Sequence, residues 1–219
     1  MTVAKKFLRL HVWNGEPATG AEHMAADEAL LRLARDPVLR WYRWARQEIS
    51  FGYPLRWRDV ESSTMGRPAV RRWTGGGIVE HGDDLTIAIA VPATHSQDAP
   101  AAFYERVHRA IAEALDSPSV RLAAPIAGAG GATCFENPVR HDVLAGNQKV
   151  AGGAIRRCRE GTLYQGSIQN AEIPADFIAQ LARNLAVETS EWTPPPEFSV
   201  LAENLRTNRY ATNEWLEKR

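Results

Sequence analysis

Cysteine is scarce in this sequence, and the chain contains no long apolar run. The two cysteines among its 219 residues, Cys134 and Cys158, form no Cys-x-x-Cys pair, so neither a zinc site nor a disulfide framework is indicated. The six histidines lack the spacing of metal ligands, and we predict no resident metal. No segment approaches the ~20 apolar residues of a membrane-spanning helix, so no membrane association is expected.

A net charge is also absent. Lysine and arginine together number 26, as do aspartate and glutamate, so the formal charge is zero. Such a chain has no broad electrostatic attraction to nucleic acid or to a membrane surface, and we expect neither as a partner. The first fifteen residues lack the apolar run of a signal peptide, which predicts a cytoplasmic protein with reduced thiols.

Three consecutive glycines beside two arginines form the most informative segment. The glycines are Gly75, Gly76 and Gly77, and the arginines are Arg71 and Arg72. Backbone N–H groups without side chains in the way, next to fixed positive charge, can hold a carboxylate or a phosphate. The alternative is a tight hairpin that requires positive φ angles. His81 follows this loop and either orients a ligand or hydrogen-bonds the neighbouring loop.

A lysine followed by very small residues forms a second candidate segment. Lys149 precedes Gly152, Gly153 and Ala154, which are too small to crowd its side chain. A ligand's carboxyl end can therefore approach the backbone and meet the ammonium group. The alternative is a solvated turn lysine beside a β-bulge.

Cys134 is the candidate nucleophile. It follows a run of glycine, alanine and threonine residues that leaves room for a substrate. A free cysteine is most often a buried small hydrophobe, but a nearby Lys149 would lower the thiol pKa and favour the reactive thiolate. Cys158, which lies among arginines, ranks second as a nucleophile, and a pairing of Cys134 with His141 stays open.

Hydrophobic periodicity predicts an α+β domain. Apolar residues at helical spacing predict helices over about 20–34, 100–115, 174–185 and 199–218. Alternating or short apolar runs predict strands over about 39–44, 86–91, 142–145, 150–157 and 162–169, with a hairpin turn at Gly146-Asn147. This order of elements favours a mixed, mostly antiparallel sheet with helices on one face.

Several motifs together resemble those of the biotin/lipoate A/B protein ligase family. In chain order they are His23-Met24-Ala25-Ala26-Asp27-Glu28, Leu39-Arg40-Trp41-Tyr42-Arg43-Trp44, Arg71-Arg72-Trp73-Thr74-Gly75-Gly76-Gly77 with His81, Lys149-Val150-Ala151-Gly152-Gly153-Ala154, and Gly161-Thr162-Leu163-Tyr164-Gln165-Gly166-Ser167. The resemblance extends from about residue 10 to about residue 170, and several motifs in the family's order are more specific than one. It implies an α+β fold in which helices flank a mixed, mostly antiparallel sheet. We assign residues 1–190 to the catalytic domain and residues 191–219 to a C-terminal helical extension.

The resemblance also implies an activity and roles for individual residues. Members of the family attach lipoyl or octanoyl groups to a lysine of lipoyl-domain proteins. By this likeness Gly75–Gly77 line the acyl pocket, Lys149 contacts the acyl carbonyl or an acyl-adenylate phosphate, and Gly152–Ala154 flank it. The sequence around Cys134 is similar to the cysteine motif of octanoyltransferases that use a thioester intermediate. Gly77, however, is closer to the ATP-dependent lipoate-protein ligases, because octanoyltransferases of this type tend to carry arginine there.

Three functional hypotheses follow. In the first, the Cys134 thiolate takes an octanoyl group from acyl carrier protein, Lys149 stabilises the developing charge, and no cofactor is needed. In the second, the protein is a lipoate-protein ligase that uses free lipoate, ATP and magnesium, and Arg72 with the glycine loop holds the carboxylate or phosphate. In the third, it is a non-catalytic module that binds an acylated carrier. The pocket residues do not discriminate biotin from lipoate.

Overall fold

The computed structural model describes residues 6–96, 98–124 and 139–218. Within them the strands are β1 Phe7–Asn14, β2 Val38–Tyr42, β3 Glu48–Phe51, β4 Ala69–Arg71, β5 Ile78–His81, β6 Leu85–Pro92, β7 Val120–Leu122, β8 Val143–Ala145, β9 Gln148–Arg157, β10 Gly161–Ile168 and β11 Ala186–Glu191. The helices are α1 Gly20–Leu33, α2 Trp57–Thr64, α3 Pro100–Ala114, α4 Phe177–Leu185, α5 Glu197–Leu205 and α6 Asn213–Leu216.

Two sheets organise the described residues. The large sheet has eight strands in the order β11-β1-β2-β6-β10-β9-β8-β7, and a small sheet has the order β4-β3-β5. In the large sheet β1 runs parallel to β11 and to β2, and every other neighbouring pair is antiparallel. The predicted α+β fold with a mixed, mostly antiparallel sheet is therefore confirmed.

Helices cover both faces of the large sheet, so the prediction of helices on one face is wrong. Leu85, Ile87 and Ile89 of β6 join the core formed with α3 and α4. The alternate residues Ala88 and Ala90 join the core formed with α1 and α5. A central strand whose residues are all buried needs cover on both sides, and β6 is buried along its whole length.

The C-terminal segment is not one helix, as its sequence pattern predicted, but three short pieces. A π-helical turn at Arg206–Tyr210 separates α5 from α6, and the hydroxyl of Thr212 accepts a hydrogen bond from the Trp215 N–H at the start of α6. Phe198 and Trp215 pack into the same core as α1. The segment after residue 191 therefore shares a core with the remainder of the chain.

The described helices include none that combines the length and the apolar composition required to cross a membrane.

Candidate active site

A cavity is lined by both sheets, by α1 and by the glycine loop. Its apolar and small lining residues are Met24, Tyr42, Trp44, Gly76, Val79, Gly152, Gly153, Ala154 and Gly166. Its polar lining residues are Ser50, Arg72, His81, Thr86, Gln165 and Ser167. Six residues predicted for the site, from two distant segments, therefore meet around one space: Arg72, Gly76, His81, Gly152, Gly153 and Ala154. A concave site with small and apolar walls and a few converging polar groups is typical of small-ligand sites.

The glycine loop passes closely over the neighbouring backbone. Gly76 has a φ angle of 88°, and a Cβ placed on it would lie 3.5 Å from the Cβ of Ala154. A Cβ on Gly52 would collide with the Gly76 carbonyl oxygen, so two glycines allow this approach. Gly76 thus has the positive φ angle of a tight turn and also lines the cavity, so both interpretations of the glycine loop apply to it.

The buried side chain of Arg72 hydrogen-bonds the backbone of the glycine loop. Its guanidinium donates to the carbonyl oxygens of Gly75 at 3.0 Å and Gly77 at 2.8 Å, and to Ser50 Oγ at 2.7 Å. Gly75 and Gly77 therefore contribute acceptors for Arg72, while Gly76 between them lines the cavity. Because a guanidinium presents its donors in a fixed plane, these bonds fix the shape of the loop.

His81 belongs to a buried polar network behind this arginine. Its Nε2 lies 2.6 Å from Ser50 Oγ, and its Nδ1 lies 2.8 Å from Asp84 Oδ2. Burial lowers the pKa of His81, so the ring is neutral at neutral pH. Burial alone would raise the pKa of Asp84, but hydrogen bonds from His81 and Ser167 outweigh it and lower that pKa. The ring of Trp44 stacks on His81 at a centroid distance of 3.9 Å.

Gln165 connects the glycine loop to α1. Its Oε1 accepts from Thr74 Oγ1 at 2.7 Å, and its Nε2 donates to Asp27 Oδ2 at 2.7 Å. The buried Asp27 carboxylate also accepts from Arg40 at 2.7 Å and from the Tyr42 hydroxyl at 3.1 Å. A buried carboxylate needs such partners, and here the hydrogen bonds link α1, β2 and β10 next to the cavity.

Lys149 lies beside the cavity rather than at an exposed turn. Its side chain is nearly fully buried and its Nζ lies 2.8 Å from Asp142 Oδ2. It packs against the Cα of Gly152, where an added Cβ would lie 2.6 Å from Nζ. Asp142 also accepts a hydrogen bond from the Tyr104 hydroxyl at 2.5 Å. The interpretation of Lys149 as a solvated turn residue is therefore wrong. Its ammonium lies against Gly152 of the same strand, β9, and Gly152 lines the cavity.

Arg71 does not line this cavity. Its buried guanidinium donates to the backbone carbonyls of Tyr53 and Leu55, and to those of Trp215 and Leu216 at the C-terminal end. We therefore leave Arg71 out of the proposed ligand site. Two adjacent arginines point to opposite sides because they lie at the end of a strand, where successive side chains alternate.

The three remaining candidates differ in position. Cys134 lies outside the described residues. Cys158 is half-buried at the turn between β9 and β10, where its thiol donates to the Gly161 carbonyl. Burial raises the pKa of the Cys158 thiol, which disfavours a thiolate there. The His141 ring lies 3.7 Å from a carboxylate oxygen of Glu105.

Several lining residues carried no sequence signal of their own. Ser50 and Thr86 lie singly on strands, and Met24 lies within a helix. Asp84 reaches the site only through other side chains. No spacing rule connects such residues; the motifs quoted for the family resemblance included Met24, Gln165 and Ser167 without giving them a role.

No metal centre is evident in the part of the chain that the structure describes, because no three His, Cys, Asp or Glu side chains come together there as metal ligands would.

Comparisons with known proteins identify the family of this chain. A model of the lipoyl protein ligase A/B catalytic domain matches residues 19–188. The octanoyltransferase LipM of Oceanobacillus iheyensis is 31% identical over 167 residues, which are 69% of this chain and 60% of that protein. The octanoyltransferase LipM of Brevibacillus brevis is 26% identical over 91% of this chain and 95% of its own length.

Solved structures share the fold. One is a bi-partite lipoate protein ligase from Thermoplasma acidophilum, studied with its E2 lipoyl domain; it has a TM-score of 0.74, 18% identity and 96% coverage of both chains. At this identity the similarity shows the fold alone. The family model, however, covers most of the sequence, and the chain therefore belongs to the lipoyl protein ligase A/B catalytic domain family.

Proposed function

We propose that the protein is an enzyme that transfers an octanoyl or lipoyl group to a lysine of a lipoyl domain. The donor in this proposal is octanoyl-acyl carrier protein, and no cofactor is required. The observation that carries it is the packing of the Lys149 ammonium on Gly152, a wall residue of a largely apolar cavity. The relatives named octanoyltransferase LipM support the same reaction.

The cavity suits the head of a fatty acyl chain. Apolar side chains such as Met24, Trp44 and Val79 line it, and glycines on two segments let a ligand approach the backbone. Burying the methylene groups of an acyl chain in such a space is favourable by about 0.8 kcal/mol for each group. The polar lining groups hydrogen-bond to one another or to neighbouring protein groups, so the acyl chain meets few unsatisfied donors.

Covalent catalysis divides the transfer into two steps. The Cys134 thiolate attacks the carbonyl carbon of the carrier thioester, the carbon–sulfur bond breaks, and the carrier leaves as a thiolate, which takes up a proton equivalent to the one that Cys134 released on ionising. The lysine amine of the lipoyl domain then attacks the acyl-cysteine, an amide forms, and the Cys134 thiol is regenerated. In both steps negative charge develops on the carbonyl oxygen, and we assign its stabilisation to the Lys149 ammonium.

Asp142 and Tyr104 keep that ammonium in place. The carboxylate compensates the buried positive charge of Lys149, which would be costly in isolation. Burial and the neighbouring Asp142 raise the pKa of Tyr104 well above its usual value, so its hydroxyl stays protonated and donates to the carboxylate. The pair thus holds a fixed cation directly behind Gly152, a wall residue of the cavity.

Replacement of the cysteine tests this proposal. Incubation with octanoyl-acyl carrier protein should give an octanoyl adduct on Cys134, detected by mass spectrometry, and Cys134→Ala should lose the adduct and the transfer. Cys158→Ala is the matched control and should retain both, because that thiol is held at a turn outside the cavity. Transfer that survives Cys134→Ala would refute the thioester mechanism.

An ATP-dependent lipoate-protein ligase is the second candidate. The position of Arg72 and Gly76 at the cavity favours it, because a guanidinium beside side-chain-free backbone would hold the carboxylate or a phosphate. Supplying a lipoyl domain with free lipoate, ATP and magnesium distinguishes the two reactions. Lipoylation in this mixture alone supports the ligase, and transfer from the carrier alone supports the transferase. Ligand binding without turnover in either assay would support the third hypothesis, a non-catalytic binding module.

A further inference from the structure

A directional chain of hydrogen bonds leads from Asp84 to the glycine loop. The Asp84 carboxylate can only accept, so the neutral ring of His81 carries its proton on Nδ1 and accepts at Nε2. The Ser50 hydroxyl must then donate to His81 and accept from Arg72. Arg72 in turn donates to the carbonyls of Gly75 and Gly77. Each residue in the chain has its donors and acceptors matched to those of its neighbours.

The chain begins at a rigid anchor. Asp84 Oδ2 accepts from His81, from Thr86 Oγ1 at 2.9 Å and from Ser167 Oγ at 2.6 Å, while Oδ1 accepts from the Gly82 N–H at 3.1 Å. A carboxylate with this many donors cannot rotate without losing several bonds. The orientation of the imidazole is therefore set by Asp84 and is reinforced by its stacking on Trp44.

We propose that Ser50 and His81 are positioning residues of the acyl-transfer site, which hold Arg72 and thereby fix the glycine loop as a wall of the cavity. The proposal depends on the function proposed above, because it assigns the loop to the acyl pocket. Neither residue reacts with the acyl group. Without Ser50, the Arg72 guanidinium loses one of its hydrogen bonds, and its bonds to the carbonyls of Gly75 and Gly77 are held less rigidly.

The connectivity of Ser50, His81 and Asp84 is also that of a hydrolase triad. The environment of the serine argues against that role. Its oxygen already accepts a hydrogen bond from the Arg72 cation at 2.7 Å, which withdraws electron density from the atom that would have to attack. The same contact is what a positioning role requires.

Ser167 provides a matched control. It is a buried cavity serine like Ser50, and it belongs to the same network through its hydrogen bond to Asp84. It does not lie on the route to Arg72. Ser50→Ala and Ser167→Ala thus each remove one serine hydroxyl from the cavity, but only Ser50→Ala interrupts the hydrogen bonds that connect Asp84 to Arg72.

Hydrogen exchange of the amides that bond to the loop tests the proposal without any assay of activity. The Gly52 and Tyr53 amides donate to the loop carbonyls of Gly77 and Thr74, so mass spectrometry should show their exchange accelerated about tenfold or more in Ser50→Ala and by less than about twofold in Ser167→Ala. In transfer assays Ser50→Ala should raise KM for the acyl donor about tenfold with a smaller effect on kcat, as expected when a binding wall loosens. If the wild type transfers no acyl group, the exchange result still decides the positioning role.

Four results would overturn the proposal. The first is exchange of the Gly52 and Tyr53 amides in Ser50→Ala at the wild-type rate, and the second is equal acceleration by both substitutions. The third needs no variant and remains available if Ser50→Ala fails to fold: nitrogen-15 NMR of the wild type should find the His81 proton on Nδ1, and a proton on Nε2 would reverse the chain. An octanoyl ester on Ser50, detected by mass spectrometry, would show a nucleophile instead.

Discussion

At the scale of single residues, the site depends on how little space surrounds Lys149. The ammonium lies against the Cα of Gly152 and is bound by Asp142, which in turn is held by Tyr104. A lysine placed in this way loses little side-chain entropy on meeting a ligand, because its rotamer is already fixed. Position 152 therefore requires glycine because any Cβ there would collide with the Lys149 side chain, and not because its backbone adopts a positive φ angle.

Alanine substitutions at the two adjacent glycines should differ in effect: the one at Gly152 should mainly lower the rate of transfer, and the one at Gly153 should mainly lower the stability of the fold. In Gly152→Ala the new Cβ meets the far end of the Lys149 side chain, which can be displaced by stretching its ion pair to Asp142, so we expect a stability loss of only about 1 kcal/mol. The ammonium would shift by roughly 1 Å, and a displacement of that size at a reacting group can lower the rate about 10²-fold. In Gly153→Ala the new Cβ lies 2.6 Å from ring atoms of the buried Tyr164, and we expect a loss of about 3 kcal/mol.

Urea unfolding and octanoyl transfer, measured on both variants, check this contrast. Each variant serves as the control for the other, since both add one methyl group to the same strand. A Gly152→Ala protein with normal transfer would contradict the role of Lys149. A Gly153→Ala protein as stable as the wild type would show that the Tyr164 ring can move aside.

At the scale of elements, the C-terminal segment stabilises the strand that leads into the glycine loop. The Arg71 guanidinium bonds the carbonyls of Trp215 and Leu216, and the Trp215 indole N–H donates back to the Arg71 carbonyl at 3.0 Å. The preceding π-helical turn is fixed by Glu28 of α1, which accepts from Arg209 and from Tyr210 at 2.6 Å each. The last helix therefore connects α1 to β4.

Replacing Trp215 should consequently unfold more than its own short helix. Trp215 is buried, and truncation of a buried tryptophan to alanine costs about 3–5 kcal/mol, here with the loss of the bond to Arg71 included. We expect this loss for Trp215→Ala in urea unfolding monitored by circular dichroism. Glu214→Ala, an exposed change in the same helix, is the control and should stay within about 0.5 kcal/mol. Similar stability in both variants would mean that the segment docks only loosely.

At the scale of the whole molecule, the sequence predicted the elements that its own periodicity defines. The helix α1, the helix α3, the strand β6 and the β8–β9 hairpin were expected from apolar spacing and from the turn at Gly146-Asn147. The small sheet and β11 were missed. In β11 the residues after Ala186 are exposed and largely polar, and the strand exists because it pairs with β1, more than 170 residues away in the chain. No local pattern reports such a pairing.

The candidate site divides in the same way. Segments with unusual composition, such as the glycine loop and the residues after Lys149, were recognised, and they meet around one cavity. Side chains that act on other side chains were not recognised. Ser50 and Asp84 are ordinary strand and turn residues by sequence, and only the pairing of β3 with β5 brings Ser50 to His81.

The two most deeply buried histidines should set the response of the whole fold to acid. Burial lowers the pKa of His23 and of His108 to about 3 each, from an unfolded value of 6.5. Below pH 6.5 the unfolded chain therefore binds protons that the folded chain does not. The stability that these residues contribute is complete above pH 6.5 and is lost as the pH falls toward 3, with a slope of up to about 1.4 kcal/mol per pH unit for each histidine.

Urea unfolding at several pH values between 7 and 5 measures this slope directly. In His108→Gln, which removes one of the histidines whose pKa burial lowers, the slope should fall by up to about 1.4 kcal/mol per pH unit. Glutamine still offers a polar group to the Tyr164 hydroxyl, which His108 Nε2 contacts at 2.8 Å. A stability that stays constant down to about pH 4, where carboxylates begin to protonate, would contradict the prediction, because burial of these neutral rings would then carry no proton linkage.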